Sequence, residues 1–308
     1  MRRIISVLIL VFLLLAAPLM RSCAVPPDRE KPLVVATNFA AYDFTRALCS
    51  GFADAVMLLS PGNESHDFEA TVSDISMIER CSLFVFTGGE SDEWIEDLFD
   101  AMGDRAEDIR TFAMTEHVKL LTEEIPGIIS SREEYDEHVW TSPKNALIIL
   151  EDLAEELCGI FPEQSSLIRE RLEGYSERIR GIDGRFEKLA GEAKRKTIVV
   201  ADRFPLKYLC EEYGLGYYAA FTGCTSNTEP SLYTVYFLIE KVKQEDIPVI
   251  FVIELSDGKT AEFVAGETGA RILTLQSAHN VTKEEFDSSV TYADLMEMNL
   301  AALDAALK

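Results

Sequence analysis

Short continuous apolar runs alternate along this chain with stretches whose apolar residues recur every three or four positions. That alternation predicts strands and helices in turn. Leu33-Val34-Val35-Ala36-Thr37-Asn38 is the kind of run that a parallel strand covered on both faces requires, and Ala40 to Cys49 follows it as a helix. The same reading places strands at Val56 to Ser60, Leu83 to Gly89 and Ile109 to Phe112, with helices at Val72 to Cys81 and Asp92 to Met102 between them. Thr71 and Asp74 have the spacing of a capping box, which fixes where the second helix starts. Ser142 is the expected N-cap, and Pro143 the first residue, of a helix running to about Cys158.

Beyond Phe161-Pro162, apolar residues fall at Ile168, Leu172, Tyr175, Ile179, Ile182, Phe186 and Leu189, a stripe along one helix. About 30 residues at ~1.5 Å each give a rod of roughly 45 Å, long enough to run along two lobes. A coiled-coil dimer would present a similar stripe. It ranks second, because Gly174, Gly181 and Gly184 make a poor zipper and no further heptads follow. The alternation then restarts, with strands at Thr197 to Asp202, Tyr217 to Phe221, Val249 to Glu254 and Ile272 to Leu275. Helices are expected at Leu206 to Tyr213, Ser231 to Val242, Lys259 to Thr268 and from Tyr292 onward. The fold class is therefore α/β: two parallel-sheet lobes, 33–162 and 196–308, joined by one backbone helix over 163–195, with a cleft between them. Between the lobes' regular elements, residues 115–137 read as an acidic irregular loop that delivers His138.

Length and charge narrow the picture. At 308 residues the chain is long enough for two cores. Its formal charge is −24, from 29 basic and 53 acidic side chains, and its one tight basic cluster is Lys194-Arg195-Lys196. Nucleic acid is thereby excluded as an expected partner, and cations become the natural guests. Arg2-Arg3 before the apolar run Ile4 to Ala17 has the form of a signal peptide, taken as residues 1–22, with 23–32 as a tether. Export follows, to the periplasm, the cell exterior or, through lipidation of Cys23, the cell surface. Five further cysteines, at 49, 81, 158, 210 and 224, include no CxxC pair. Their odd number leaves at least one free thiol, and they read as buried small side chains, with Cys210–Cys224 as one disulfide that the spacing allows.

The chemistry sits where strands end. His66, in Pro61-Gly62-Asn63-Glu64-Ser65-His66-Asp67-Phe68-Glu69, and His138 belong to the first lobe, while Asp202, Glu254 and His279 follow strands of the second. In open α/β sheets the loops beyond the carboxyl ends of strands hold the ligand, so all five are expected to face the cleft. Three imidazoles and a carboxylate suit a divalent transition metal: Zn²⁺ at about 2.0–2.2 Å per ligand, with Mn²⁺ preferring a set richer in oxygen. Each residue also has a plainer reading. His66 and His138 can cap helices, Asp202 can pair with Arg203 or Lys207, Glu254 can be a buried hydrogen-bonding partner, and His279 can lie at the surface. The fourth histidine, His117, falls outside the converging segments.

Taken together, Pro61-Gly62-x-x-x-His66-x-Phe68-Glu69 with Ser73-Asp74, Gly88-Gly89-Glu90-Ser91-Asp92-Glu93-Trp94, Asp136-Glu137-His138-Val139-Trp140-Thr141-Ser142-Pro143 and the long helix resemble the zinc- and manganese-binding substrate-binding proteins of bacterial ABC importers. The resemblance covers essentially the whole mature length. It implies a monomeric, non-enzymatic receptor that binds Zn²⁺ or Mn²⁺ between its lobes and passes it to a membrane permease, with His66 and His138 at the first two histidine positions. The third position departs from the family, since strict spacing puts Arg203 there and a cationic guanidinium cannot bind a cation. Either Asp202 serves by a one-residue shift, or the site is completed by another residue. Where the family carries an aspartate after the last strand, this chain has His279, which restores three histidines. Glu254 and Glu229 remain second candidates for the carboxylate, better suited to orienting an imidazole. The region 115–137, His-rich in many zinc members, here holds only His117 and acids. A secreted metallohydrolase, with Glu254 as general base, is the alternative from another class, and no HExxH or GxSxG supports it. A surface adhesin that kept the fold and lost the ion is the third reading.

Overall fold

The structure is a computed structural model that describes residues 31–63, 68–123, 135–221 and 230–308. Residues 1–30, with the expected signal peptide, tether and Cys23, and also His66, Cys224 and Glu229, lie outside the described residues. Two four-stranded parallel sheets are present. The first joins β1 (Leu33–Ala36), β2 (Asp54–Met57), β3 (Leu83–Phe86) and β4 (Thr111–Ala113) in the order β2-β1-β3-β4. The second joins β5 (Thr197–Val200), β6 (Gly216–Ala219), β7 (Val249–Ile253) and β8 (Arg271–Leu275) in the order β6-β5-β7-β8. Strand order reverses between β1 and β3, and again between β5 and β7. Each reversal opens a crevice at the carboxyl ends of its strands, where a ligand fits.

Helices α1 (Phe39–Cys49), α2 (Val72–Arg80), α3 (Glu93–Met102), α4 (Pro143–Ile160), α5 (Ser165–Glu192), α6 (Lys207–Tyr213), α7 (Leu232–Gln244), α8 (Lys259–Thr268), α9 (Lys283–Asp287) and α10 (Tyr292–Leu307) surround the sheets. The local signals act as expected: Thr71 and Asp74 close a capping box on α2, and the Ser142 side chain accepts from the Asn145 N–H with Pro143 opening α4. The short α9 was not foreseen, although Thr282 and Glu285 form a capping box of the same kind.

The long stripe is consumed within the chain. Ile168, Ile179, Ile182, Phe186 and Leu189 of α5 are buried in a core that also takes in Phe44 of α1, Leu150 and Leu153 of α4, Leu209 of α6 and Leu295 and Leu303 of α10. One apolar core is thus continuous from the first lobe to the second. A helix alone would leave the lobes free to swing, whereas a large apolar interface holds them. The connection is doubled by α10, which packs against α5, α1, β5 and β8. A buried polar knot reinforces it: Asp43 of α1 accepts from the Tyr292 N–H at 2.7 Å, from the Tyr175 hydroxyl, and from Arg46 at 2.5 Å. Burial pushes the Asp43 carboxyl up from its ordinary range, and the Arg46 guanidinium works against that shift.

Among the described residues Cys49, Cys81, Cys158 and Cys210 are free thiols. Cys210 is a buried side chain of α6, and Cys224, the partner that the spacing allows, lies outside the described residues. Burial pushes the Cys49 thiol up to about 12 and that of Cys81 to about 11, which keeps both protonated and inert. No helix among the described residues is long and apolar enough to cross a membrane.

Candidate metal centre

Residues 124–134 of the acidic segment after β4 lie outside the described residues, and the described ends of the segment are fastened. Thr122 and Tyr135 form an isolated antiparallel bridge, and the Asp136 N–H donates to the Leu121 carbonyl at 2.9 Å. The Tyr208 hydroxyl of α6 takes a hydrogen bond from the Leu121 N–H at 3.0 Å and donates to the Asp136 carbonyl at 2.7 Å. His138, 2% exposed, is consequently delivered on a rigid support.

Its tautomer is set by Asp136. The Asp136 Oδ1 accepts from the His138 backbone N–H at 2.8 Å and lies 3.1 Å from Nδ1. A carboxylate facing Nδ1 favours, in the neutral ring, the tautomer with the proton on Nδ1, which leaves Nε2 its lone pair. This carboxylate–imidazole arrangement is the one that holds metal-ligating histidines in place.

His279 comes from the loop after β8. Ala278 before it adopts φ 58° while fully buried, a left-handed turn that costs a residue with a side chain roughly 1–3 kcal/mol. Glu254, at the end of β7, holds this loop: its Oε2 accepts from the Ser277 N–H at 2.6 Å, its Oε1 takes the Ser277 hydroxyl, and Ser277 Oγ accepts from the His279 N–H at 3.1 Å. Glu254 is thus a buried hydrogen-bonding partner that acts on His279 through Ser277. The loop is also bound to the opposite lobe. The Phe39 N–H donates to the His279 carbonyl at 2.9 Å, the Gly62 N–H to the Val281 carbonyl at 2.8 Å, and Asn280 Nδ2 to the carbonyls of Ser60 and Asn63 at 2.9 and 2.7 Å.

The two imidazoles meet at the lobe boundary, ring centroids 5.5 Å apart, each 5.5–5.6 Å from the ring of Trp140. Glu137, His138 and His279, all buried, each offer one ligand atom, and these atoms lie within 4.8 Å of one another. His279 is therefore not a surface residue, and Glu137 stands in the cluster although the sequence reading had not singled it out. Its place is made by the glycine pair after β3. A Cβ on Gly89 would lie 2.3 Å from Glu137 Oε2 and 2.4 Å from its Cβ, so glycine is what admits that side chain. Gly88, at φ +85°, would bring a Cβ to 2.5 Å from Thr115 Oγ1. Gly89→Ala is expected to displace Glu137, lowering Zn²⁺ affinity at least tenfold while the melting temperature of the metal-free protein changes far less; a titration matching the parent protein would contradict this.

The surroundings are acidic. Asp92 Oδ2 accepts from the Thr87 and Gly88 N–H groups at 2.6 and 3.2 Å, and burial with the neighbouring Glu137 charge pushes its carboxyl up to about 7. Asp92, Ser91, Thr37, Asn38, Leu59, Phe68, Trp94 and His279 line a small cavity beside the cluster.

Asp202 lies just after β5, 8% exposed. Its Oδ1 accepts from the Arg203 N–H at 2.8 Å, its Oδ2 is buried without a hydrogen bond, and it does not belong to the three-residue cluster. Lys207 donates to the Tyr217 hydroxyl at 3.2 Å. His117 stacks on Phe112 at 4.1 Å and pairs with Asp152 at 2.8 Å, away from the site as expected.

The zinc-binding lipoprotein AdcA of Streptococcus pneumoniae is 26% identical over 277 residues, covering 88% of this chain, and this chain spans only 54% of that protein's length. The high-affinity zinc uptake system protein ZnuA of Bacillus subtilis is 27% identical over 287 residues, covering 90% of this chain and 88% of its own. The crystal structure of the Zn(II)-bound ZnuA-like domain of Streptococcus pneumoniae AdcA superposes with a TM-score of 0.76 at 26% identity, over 90% of this chain and 99% of that domain. The family model described as zinc-uptake complex component A, periplasmic, matches residues 34–306, and the chain belongs to that family.

Proposed function

We propose that this protein is an extracytoplasmic receptor that captures Zn²⁺, in preference to Mn²⁺, at the lobe boundary and hands it to an ABC-type permease. The ion is cargo, and no catalysis is involved. The observation that carries this reading is the buried convergence of His138 and His279 from opposite lobes, with a carboxylate oxygen of Glu137 within 4.8 Å of a ring nitrogen of each. His66, carried over from the family motif, supplies the third imidazole. Nitrogen-rich coordination favours Zn²⁺ over Mn²⁺, whose preference is for oxygen. The chain's −24 charge draws cations toward the site without selecting among them. AdcA of Streptococcus pneumoniae and ZnuA of Bacillus subtilis, both named for zinc, lend support.

Titration with Zn²⁺ and Mn²⁺ across pH tests the reading. Only a neutral imidazole can bind the ion, so protons compete with it. Burial disfavours a charged His138, but Asp136, Glu137 and Glu123 outweigh it and raise the pKa above the ordinary 6.5, with His279 and Glu254 also facing the ring. The sign follows: affinity is full above the raised pKa and falls as pH drops through it, beginning above pH 6.5. Tighter binding of Mn²⁺ than Zn²⁺, or a Zn²⁺ affinity flat between pH 8 and 5, would defeat the proposal.

A further inference from the structure

Asp202, the carboxylate expected from the sequence, has one oxygen engaged by the Arg203 N–H and stands outside the cluster of Glu137, His138 and His279. A Zn²⁺ site holding only imidazoles would keep its full double charge in a buried place, which a carboxylate ligand halves. The first lobe offers that carboxylate. Glu137 is 3% exposed, its Oε2 is fixed by the Ser91 N–H at 2.9 Å, and one of its oxygens lies within 4.8 Å of ligand nitrogens of both His138 and His279. Its approach requires the missing Cβ of Gly89, so the backbone after β3 is shaped around this side chain.

We infer that Glu137 is the carboxylate ligand of the transported ion, in place of Asp202, so that the first lobe, and not the β5 loop of the second, supplies the charged ligand. The inference rests on the zinc reading above. Its consequence is geometric. Glu137 and His138 are consecutive on one support, and the His279 loop is hydrogen-bonded to the first lobe through Phe39, Ser60, Gly62 and Asn63. The ligands therefore form a single unit that does not need the β5 end of the second lobe to close over the ion.

Competition titration of the full chain against a chromophoric zinc chelator decides the matter, using Glu137→Gln, Asp202→Asn and His138→Ala. Glutamine keeps an oxygen to accept from Ser91 while removing the charge. Glu137→Gln is expected to weaken Zn²⁺ at least tenfold, Asp202→Asn by less than twofold. Co²⁺ loaded into Glu137→Gln is expected to show altered visible absorption, and into Asp202→Asn an unchanged spectrum. An Asp202→Asn loss equal to or larger than that of Glu137→Gln, or a Co²⁺ spectrum insensitive to Glu137, would overturn the assignment. If His138→Ala leaves affinity intact, it is the zinc reading itself that fails. Melting of each metal-free variant checks folding, and Glu137→Asp, which keeps the charge on a shorter arm, is expected to recover part of the affinity should glutamine unfold the site.

Discussion

Replacing either His138 or His279 with alanine is expected to weaken Zn²⁺ binding by more than the 10- to 100-fold that loss of a residue behind a metal ligand typically costs. In the proposed site each imidazole would supply one of very few nitrogen donors, and each is buried where water cannot freely stand in for it. Asp136→Asn separates support from ligation. The amide still meets Nδ1 but no longer fixes which nitrogen carries the proton, so its loss is expected inside the 10- to 100-fold range. His117→Ala is the control, since that ring is committed to Phe112 and Asp152, and its affinity is expected to match the parent. Calorimetric titration, or chelator competition where binding is too tight, gives all four values. Undiminished affinity in both His138→Ala and His279→Ala would remove the metal site.

The elements of the fold were legible because each is specified locally. Buried parallel strands need unbroken apolar runs, and Leu83–Phe86 and Val249–Ile253 have them. Helix starts carry oxygen-bearing caps, and Thr71 and Ser142 sit where the caps are needed. What the pattern did not show was set at long range. Nothing in the stripe from Ile168 to Leu189 distinguishes a helix that bridges two separate cores from one lying inside a shared core, because both bury the same face. The placing of α10 across both lobes depends on Tyr292, whose N–H meets Asp43 and whose hydroxyl meets the Trp140 carbonyl at 2.8 Å, contacts 249 and 152 residues apart in sequence.

The candidate site shows the same division. His138 and His279 could be named from their places after strand ends and brought together by the family pattern. Glu137 could not, since acidic residues fill the segment before His138 and the space that admits this one is made by Gly89, far away in sequence. Glu254, which the sequence suits to orienting an imidazole, hydrogen-bonds Ser277, and Ser277 in turn accepts from the His279 N–H.

Trp140→Ala is expected to be the most destabilising single change near the site. The side chain is completely buried, packs edge-on against both imidazoles, and donates from Nε1 to the Ser277 carbonyl at 2.8 Å, tying the first lobe to the loop that carries His279. Emptying such a space costs about 3–5 kcal/mol. For a chain of this size that lowers the melting temperature on the order of 10 °C. Trp140→Phe divides the effect. It retains most of the apolar volume but leaves the Ser277 carbonyl without its donor, a loss of about 1–3 kcal/mol. Urea unfolding of the metal-free proteins ranks the variants, and Zn²⁺ titration then asks whether His279 has lost its place. If Trp140 aligns the loop through packing, Trp140→Phe binds nearly as the parent does and Trp140→Ala binds weakly. Equal loss of affinity in both variants would transfer that role to the single hydrogen bond to Ser277, and parent-like stability in Trp140→Ala would show that the core joining the two lobes does not run through this residue.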